Sequence, residues 1–145
     1  MKTIYTKFTE AFKELNDLSL LLIRLVLAYG FYGPATMKLK DIHAIGDWLS
    51  SMNYPLPYFN VWMATIIEVF GIILLTLGLG IQLISIPLMI VMLVALLSVH
   101  LGNGFEAGNN GFEIPLYYLL MLFVLLTQGA GKYSIDQLIN KKTNK

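Results

Sequence analysis

The chain has no cysteine, which rules out disulfides, thiolate catalysis, cysteine-ligated iron–sulfur clusters and cysteine-based zinc sites. Histidine is almost as scarce. His43 and His100 are the two present, and since His43 falls on a surface segment, bis-histidine haem is poorly served. Charge is thin as well: 13% of the 145 residues are Asp, Glu, Lys or Arg, and the net charge is +1. The basic residues are scattered and form no stripe on one face, so no nucleic-acid partner is expected. Internal repeats and low-complexity tracts are absent too. Any redox chemistry would have to come from a cofactor, a bound quinone or a partner subunit.

What the chain has in quantity is apolar surface. Hydrophobic residues make up 57% of it and the mean hydropathy is +0.68, too apolar for a soluble domain with a polar shell. Four apolar segments run from Leu18 to Met37, Tyr58 to Leu79, Ile81 to Leu101 and Phe112 to Gly129. Each is close to the ~20 residues that a helix rising ~1.5 Å per residue needs to cross a bilayer core of ~30 Å. Inside lipid the backbone must satisfy its own hydrogen bonds, so these segments are expected to be helices. The expected fold is all-α: an integral membrane four-helix bundle in a single domain, residues 1–145.

The connections support that division. Gly78 and Gly80 predict a tight turn, and hence an antiparallel hairpin of the second and third spans. HLGNGFEAGNNGF, from His100 to Phe112, is loop-like in composition, and the glycines of GAG at 129–131 stop the last span. Three amphipathic interfacial helices are expected around the spans. The first lies in MKTIYTKFTEAFKELND, whose apolar residues recur at helical spacing with no uninterrupted apolar core, unlike a cleavable signal peptide. The second is IHAIGDWLSSM, with Trp48 at headgroup level, followed by Pro55 and Pro57. The third follows Ser134, which with Gln137 forms a capping box. Seven lysines flank the two termini against Lys38 and Lys40 in the first connection, so both termini are expected in the cytoplasm.

Two ionisable residues sit well inside spans, Arg24 in the first and Glu68 in the second. A charge at the bilayer centre costs at least ~2.5–3.5 kcal/mol, so neither should face lipid. Their positions along the spans put them at similar depth, where they could pair directly. One reading makes them a buried ion pair that fixes helix register. The other makes Glu68 part of a proton-linked or ligand-binding pocket. At the opposite side of the membrane from the termini, Lys38, Asp41, His43, His100, Glu106 and Glu113 gather by topology, though Glu113 also suits the first turn of a helix. Met89, Met92 and His100 lie along one side of the third span, a donor set suited to copper(I) and equally to core packing. Tyr29, Tyr32, Tyr117 and Tyr118 could line a quinone slot or simply pack. Pro34 and Pro87 are expected to loosen their helices, and Pro34 frees the carbonyl of Gly30.

The stretches LLLIRLVLAYGFYGPATMKL, IIEVFGIILLTLGLG and QGAGKYSIDQLI, in this order and spacing, resemble the DoxX family of small bacterial membrane proteins over nearly the whole chain. Arg24, Gly33, Lys38, Glu68, Gly71, Gly78, Gly129, Gly131, Ser134 and Asp136 match its recurrent positions. Within it, ISIPLMIVMLVALLSVHLGNGF and NNGFEIPLYYLLMLF look most like the HvfX-type branch, which is associated with copper-binding modified peptides. The resemblance implies a bacterial cytoplasmic-membrane protein working with partner subunits. One implied role is accessory or redox subunit, since some members resemble the small subunit of a thiosulfate:quinone oxidoreductase; another is handling copper or a copper-binding peptide, and a third is a scaffold. Catalytic residues are not implied. The candidate pocket is Arg24, Lys38, Glu68, His100 and Glu113; Met89, Met92 and His100 are the candidate metal ligands. Homo-oligomers are compatible with the lipid-facing surface of so small a bundle.

Overall fold

A computed structural model describes Phe12 and residues 15–143. The expected N-terminal interfacial helix therefore lies largely outside the described residues. Those described form helices and turns, with no strand among them. Helix α1 is Leu15–Lys40, α2 is Ile42–Ser51, α3 is Pro57–Leu77, α4 is Ile81–Ala95, α5 is Glu113–Gln128 and α6 is Ile135–Thr143. Helices α1 and α3, and the run Ile81–Asn103 that begins with α4, are long and apolar enough to cross a membrane. Helix α5 is apolar but shorter, with 16 residues and a length of about 24 Å.

Helix α1 packs along α3 and α4 along α5, while α3 and α4 adjoin through the Gly78–Gly80 turn. Buried Leu27, Phe31, Leu75, Ile81, Leu88, Leu122 and Leu125 fill the space between them. The outward faces stay apolar, as at Leu22, Ile73 and Leu83, which suits lipid as the solvent. Hydroxyls on the spans return to their own backbone: Thr65 Oγ1 donates to Val61 O at 2.7 Å and Ser85 Oγ to Ile81 O at 2.7 Å.

One end of the molecule carries the start of α1, the α3–α4 turn, the end of α5, and α6. It is tied together by helix termini. Gly78 ends α3 with φ +68° and donates to Leu74 O at 2.8 Å, and Gly80 opens α4 with φ +59°. The orphan amides of α4 are met by a residue distant in sequence: the Asp136 carboxylate accepts from Gly80 N–H at 2.8 Å and Ile81 N–H at 3.3 Å. Asp136 N–H donates in turn to Gly78 O at 3.0 Å. Ser134 Oγ accepts from Gln137 N–H at 3.2 Å, as an N-cap should, and Asp17 Oδ1 accepts from Lys132 N–H at 2.8 Å.

The other end carries α2 and the connection from α4 to α5. Asp41 caps α2 by accepting from Ala44 N–H at 2.9 Å. Gly46 is buried against the ring of Tyr58, where a Cβ would come within 2.4 Å of Cδ1, and the Tyr58 hydroxyl donates to Asp47. Helix α2 is thus clasped to the first turn of α3. The α4 helix closes in a π-helical turn at Leu96–His100, with Leu101 N–H bonding Leu96 O five residues back. No sequence signal pointed to that turn.

Candidate functional site

Helix α1 presents Gly30, Pro34 and Lys38 at intervals of four, a stripe on one face. Helix α3 brings Ala64 and Glu68 by the same spacing. Lys38 Nζ lies 2.6 Å from Glu68 Oε1 and 2.7 Å from Oε2, an ion pair gripping both carboxylate oxygens. Glu68 is 1% exposed, whereas the Lys38 side chain keeps 20% of its surface.

The pair stands in the wall of a cavity of about 740 Å³ at the α2 end of the molecule. Gly30, Phe31 and Pro34 of α1, Ile67 of α3, and Val91 and Met92 of α4 supply apolar wall. Helix α2 closes it from above with Ile45, Trp48 and Leu49, and the loop after α4 with Ala107, Asn110 and Gly111. Polar groups are few: the ion pair, Tyr54, Asn60, Ser98, His100, Asn110 and Tyr118. His100 Nδ1 lies 2.8 Å from Asn110 O, and a carbonyl can only accept, so Nδ1 carries the proton and Nε2 keeps its lone pair in the neutral ring. The π-helical turn shifts Ser98, Val99 and His100 from where an unbroken α-helix would carry them, and all three line the cavity. Tyr118 packs edge-on to Phe31, with its hydroxyl in the notch left by Gly30.

Arg24 does not meet Glu68. It is fully buried at the opposite end, where Nη1 donates to Leu75 O at 3.4 Å and Nη2 to Tyr133 O. Its Nε has no acceptor among the described residues, and Asp136 supplies the nearby negative charge. The reason is the direction of helical side chains, which lean toward their own helix N-terminus. In α1 this carries Arg24 away from Glu68 and sends Lys38 inward; in antiparallel α3 it tips Glu68 toward Lys38. The guanidinium therefore binds Leu75 O at the α3 C-terminus, where a cation complements the helix dipole, and Tyr133 O just before α6.

Other expected members separate in the same way. Met92 and His100 line the cavity, whereas Met89 packs against the core and is not part of the wall. Glu113 orders the loop instead: Oε2 accepts from Ala107 N–H at 2.9 Å and Oε1 from the Tyr117 hydroxyl at 3.1 Å. Of the four tyrosines, Tyr118 lines the cavity, while Tyr29 is 84% exposed and Tyr32 and Tyr117 also face outward. Among the described residues no three His, Cys, Asp or Glu side chains are grouped to hold a metal. Tyr54, Asn60 and Ser98 are wall residues that sequence patterns did not single out, and Trp48, expected at headgroup level, joins them in the wall. Asn60 Nδ2 also donates to Pro55 O at 2.8 Å and Leu56 O at 3.1 Å, holding the strained entrance to α3.

The family model for DoxX matches residues 19–101, which hold most of α1, all of α2 to α4, Lys38 and Glu68. The chain belongs to the DoxX family. Two uncharacterized proteins of Haemophilus influenzae are similar to this DoxX chain: one is 32% identical over 87% of the chain and 86% of its own length, the other 31% identical over 83% and 90%. No solved structure matches it. Family membership and the apolar helices make it a membrane protein.

Proposed function

We propose that this DoxX protein is a four-helix bundle of the bacterial cytoplasmic membrane, one domain with both termini in the cytoplasm, which binds a quinone as accessory or redox subunit of a larger complex. Helices α2 and α6 then lie in the two interfaces, and the α2 end faces outward. The observation that carries this reading is the cavity of about 740 Å³, apolar over most of its wall and polar at the Lys38–Glu68 pair. That volume and lining suit a compact ligand with an apolar ring and a few hydrogen-bonding oxygens.

A quinone, when bound, carries electrons and protons between partners. Lys38 has the ammonium to donate to a carbonyl oxygen, and Glu68 holds that ammonium in place and offers a second seat for a proton. The Tyr118 hydroxyl adds a further donor on the same wall, and the neutral His100 ring offers its Nε2 lone pair as an acceptor. With α2 and the loop covering the water side, these groups act where a hydrogen bond is worth more than in water. Cofactor analysis of gently solubilised protein, kept with its partner subunits, tests this. Stoichiometric extractable quinone is expected, lost in Lys38→Met; intact complexes free of quinone refute it.

A second reading, copper or copper-peptide handling as in the HvfX-type branch, is favoured by Met92 and His100 sharing the same cavity. The thioether and the imidazole would be the soft ligands. It expects copper(I) in stoichiometric amount that disappears in His100→Ala and survives in Lys38→Met.

A further inference from the structure

Helix α2 and the loop after α4 lie over the cavity on its water side, and on the side between α3 and α4 its wall reaches the apolar outer surface. On the water side stand Ile45 and Leu49 of α2 and the buried Gly111 of the loop. Between α3 and α4 the wall is different. Phe59 and Met63 on α3, and Ile90 and Val94 on α4, line the cavity while 61%, 42%, 56% and 39% exposed. Each pair is spaced by four residues, so each forms a stripe along its helix. Side chains that belong to a cavity wall and to the outer surface at once mark the rim of an opening. On spanning helices that outer surface meets acyl chains.

The opening follows from how α3 and α4 are joined. Toward the Gly78–Gly80 turn they touch closely, since a Cβ on Gly71 would come within 2.8 Å of Leu88 Cδ2. Further from the turn the cavity lies between them, bounded by Ala64 and Ile67 on one side and Val91 and Ala95 on the other. On the α1–α5 side Met37 and Ile114, 63% and 45% exposed, border the cavity as well, but the Tyr118 ring seated against Gly30 and Phe31 fills the space below them.

We infer that the cavity takes its ligand sideways from the bilayer, through a portal between α3 and α4 rimmed by Phe59, Met63, Ile90 and Val94. The ligand is an amphiphile dissolved in the membrane, its hydrogen-bonding head at Lys38–Glu68 and its apolar tail lying in the portal. This rests on the quinone reading and adds to it the requirement for a tail and the route by which the ligand arrives. A water-soluble ligand of the same head group has no tail to use this path.

The test uses the unmodified chain in lipid nanodiscs and two photoreactive benzoquinones with decyl tails, one carrying its diazirine on the ring and the other at the tail end. Ring adducts are expected on peptides containing Lys38 and Glu68, and tail adducts on Phe59, Met63, Ile90 or Val94, both lost on competition with unlabelled decyl quinone. Ring adducts at Lys38 and Glu68 with tail adducts on Met37, on Ile114 or in the 101–112 loop overturn the portal and leave the binding site standing. No competable adduct overturns both.

Discussion

Replacing Lys38 with methionine keeps most of the stem and removes the ammonium that sits 2.6 and 2.7 Å from the two oxygens of Glu68. The carboxylate left behind is 1% exposed, so water cannot replace the lost partner. Stranding one member of a buried pair costs about 3–5 kcal/mol, and the partial exposure of Lys38 puts this case near the lower end, about 3 kcal/mol. Glu68→Gln should cost less, roughly 1–2 kcal/mol, because an amide oxygen still accepts from Lys38. A freed lysine on a long stem can also move its charge toward the headgroups. The double variant Lys38→Met/Glu68→Gln leaves no stranded charge, and its cost should fall below the sum of the singles by roughly 1–3 kcal/mol. Reversible unfolding in mixed micelles measures all three. Additivity within about 0.5 kcal/mol, or a larger loss in Glu68→Gln than in Lys38→Met, would refute the reasoning.

Both turn glycines adopt positive φ, but their surroundings separate them. Gly80→Ala should cost about 1–2 kcal/mol for the left-handed backbone alone, since a Cβ there meets nothing within 4 Å. Gly78→Ala adds about 1–3 kcal/mol of overpacking, with its Cβ 2.0 Å from Arg24 Nη1 and 2.7 Å from Ser134 Cβ, and thermal unfolding should rank them so. Gly30→Ala drives a methyl to 1.7 Å from the Tyr118 hydroxyl and should destabilise by roughly 1–3 kcal/mol. Gly33→Ala, with open space around its Cβ, should be neutral or stabilise by up to about 1 kcal/mol in the same assay. Asp136→Ala removes the acceptor for Gly80 and Ile81 N–H and should cost about 0.5–2 kcal/mol, seen as faster hydrogen exchange at the first turn of α4.

The helices were legible because lipid leaves the backbone few options: an apolar run of the right length must be helical, and α1, α3 and α4 follow the segments so marked. Punctuation carried the next level. Gly78 and Gly80 marked the turn and Ser134 the cap, and the QGAGKYSIDQLI stretch became the knot in which Asp136 caps α4; the Asp41 cap of α2 went unread. The ion pair was misjudged because depth was counted along Cα positions. Arg24 reaches Leu75 O, about two helical turns along α3 from Glu68, because its side chain leans toward the start of α1, and Lys38, assigned to a connection, reaches inward to Glu68 instead. The cavity itself was out of reach. It depends on where α3 and α4 diverge and on a π-helical turn at Leu96–His100, and neither leaves a mark in residue spacing.

Decyl-quinone titration of the protein in nanodiscs tests the central claim, that the Lys38–Glu68 pair holds the polar end of a ligand. Wild type is expected to bind one quinone saturably. Lys38→Met should weaken binding by about tenfold or more, the worth of one charge-assisted hydrogen bond, and Lys38→Arg should recover part of it. Equal affinity in wild type and a folded Lys38→Met variant, or no saturable binding in wild type, would contradict the account.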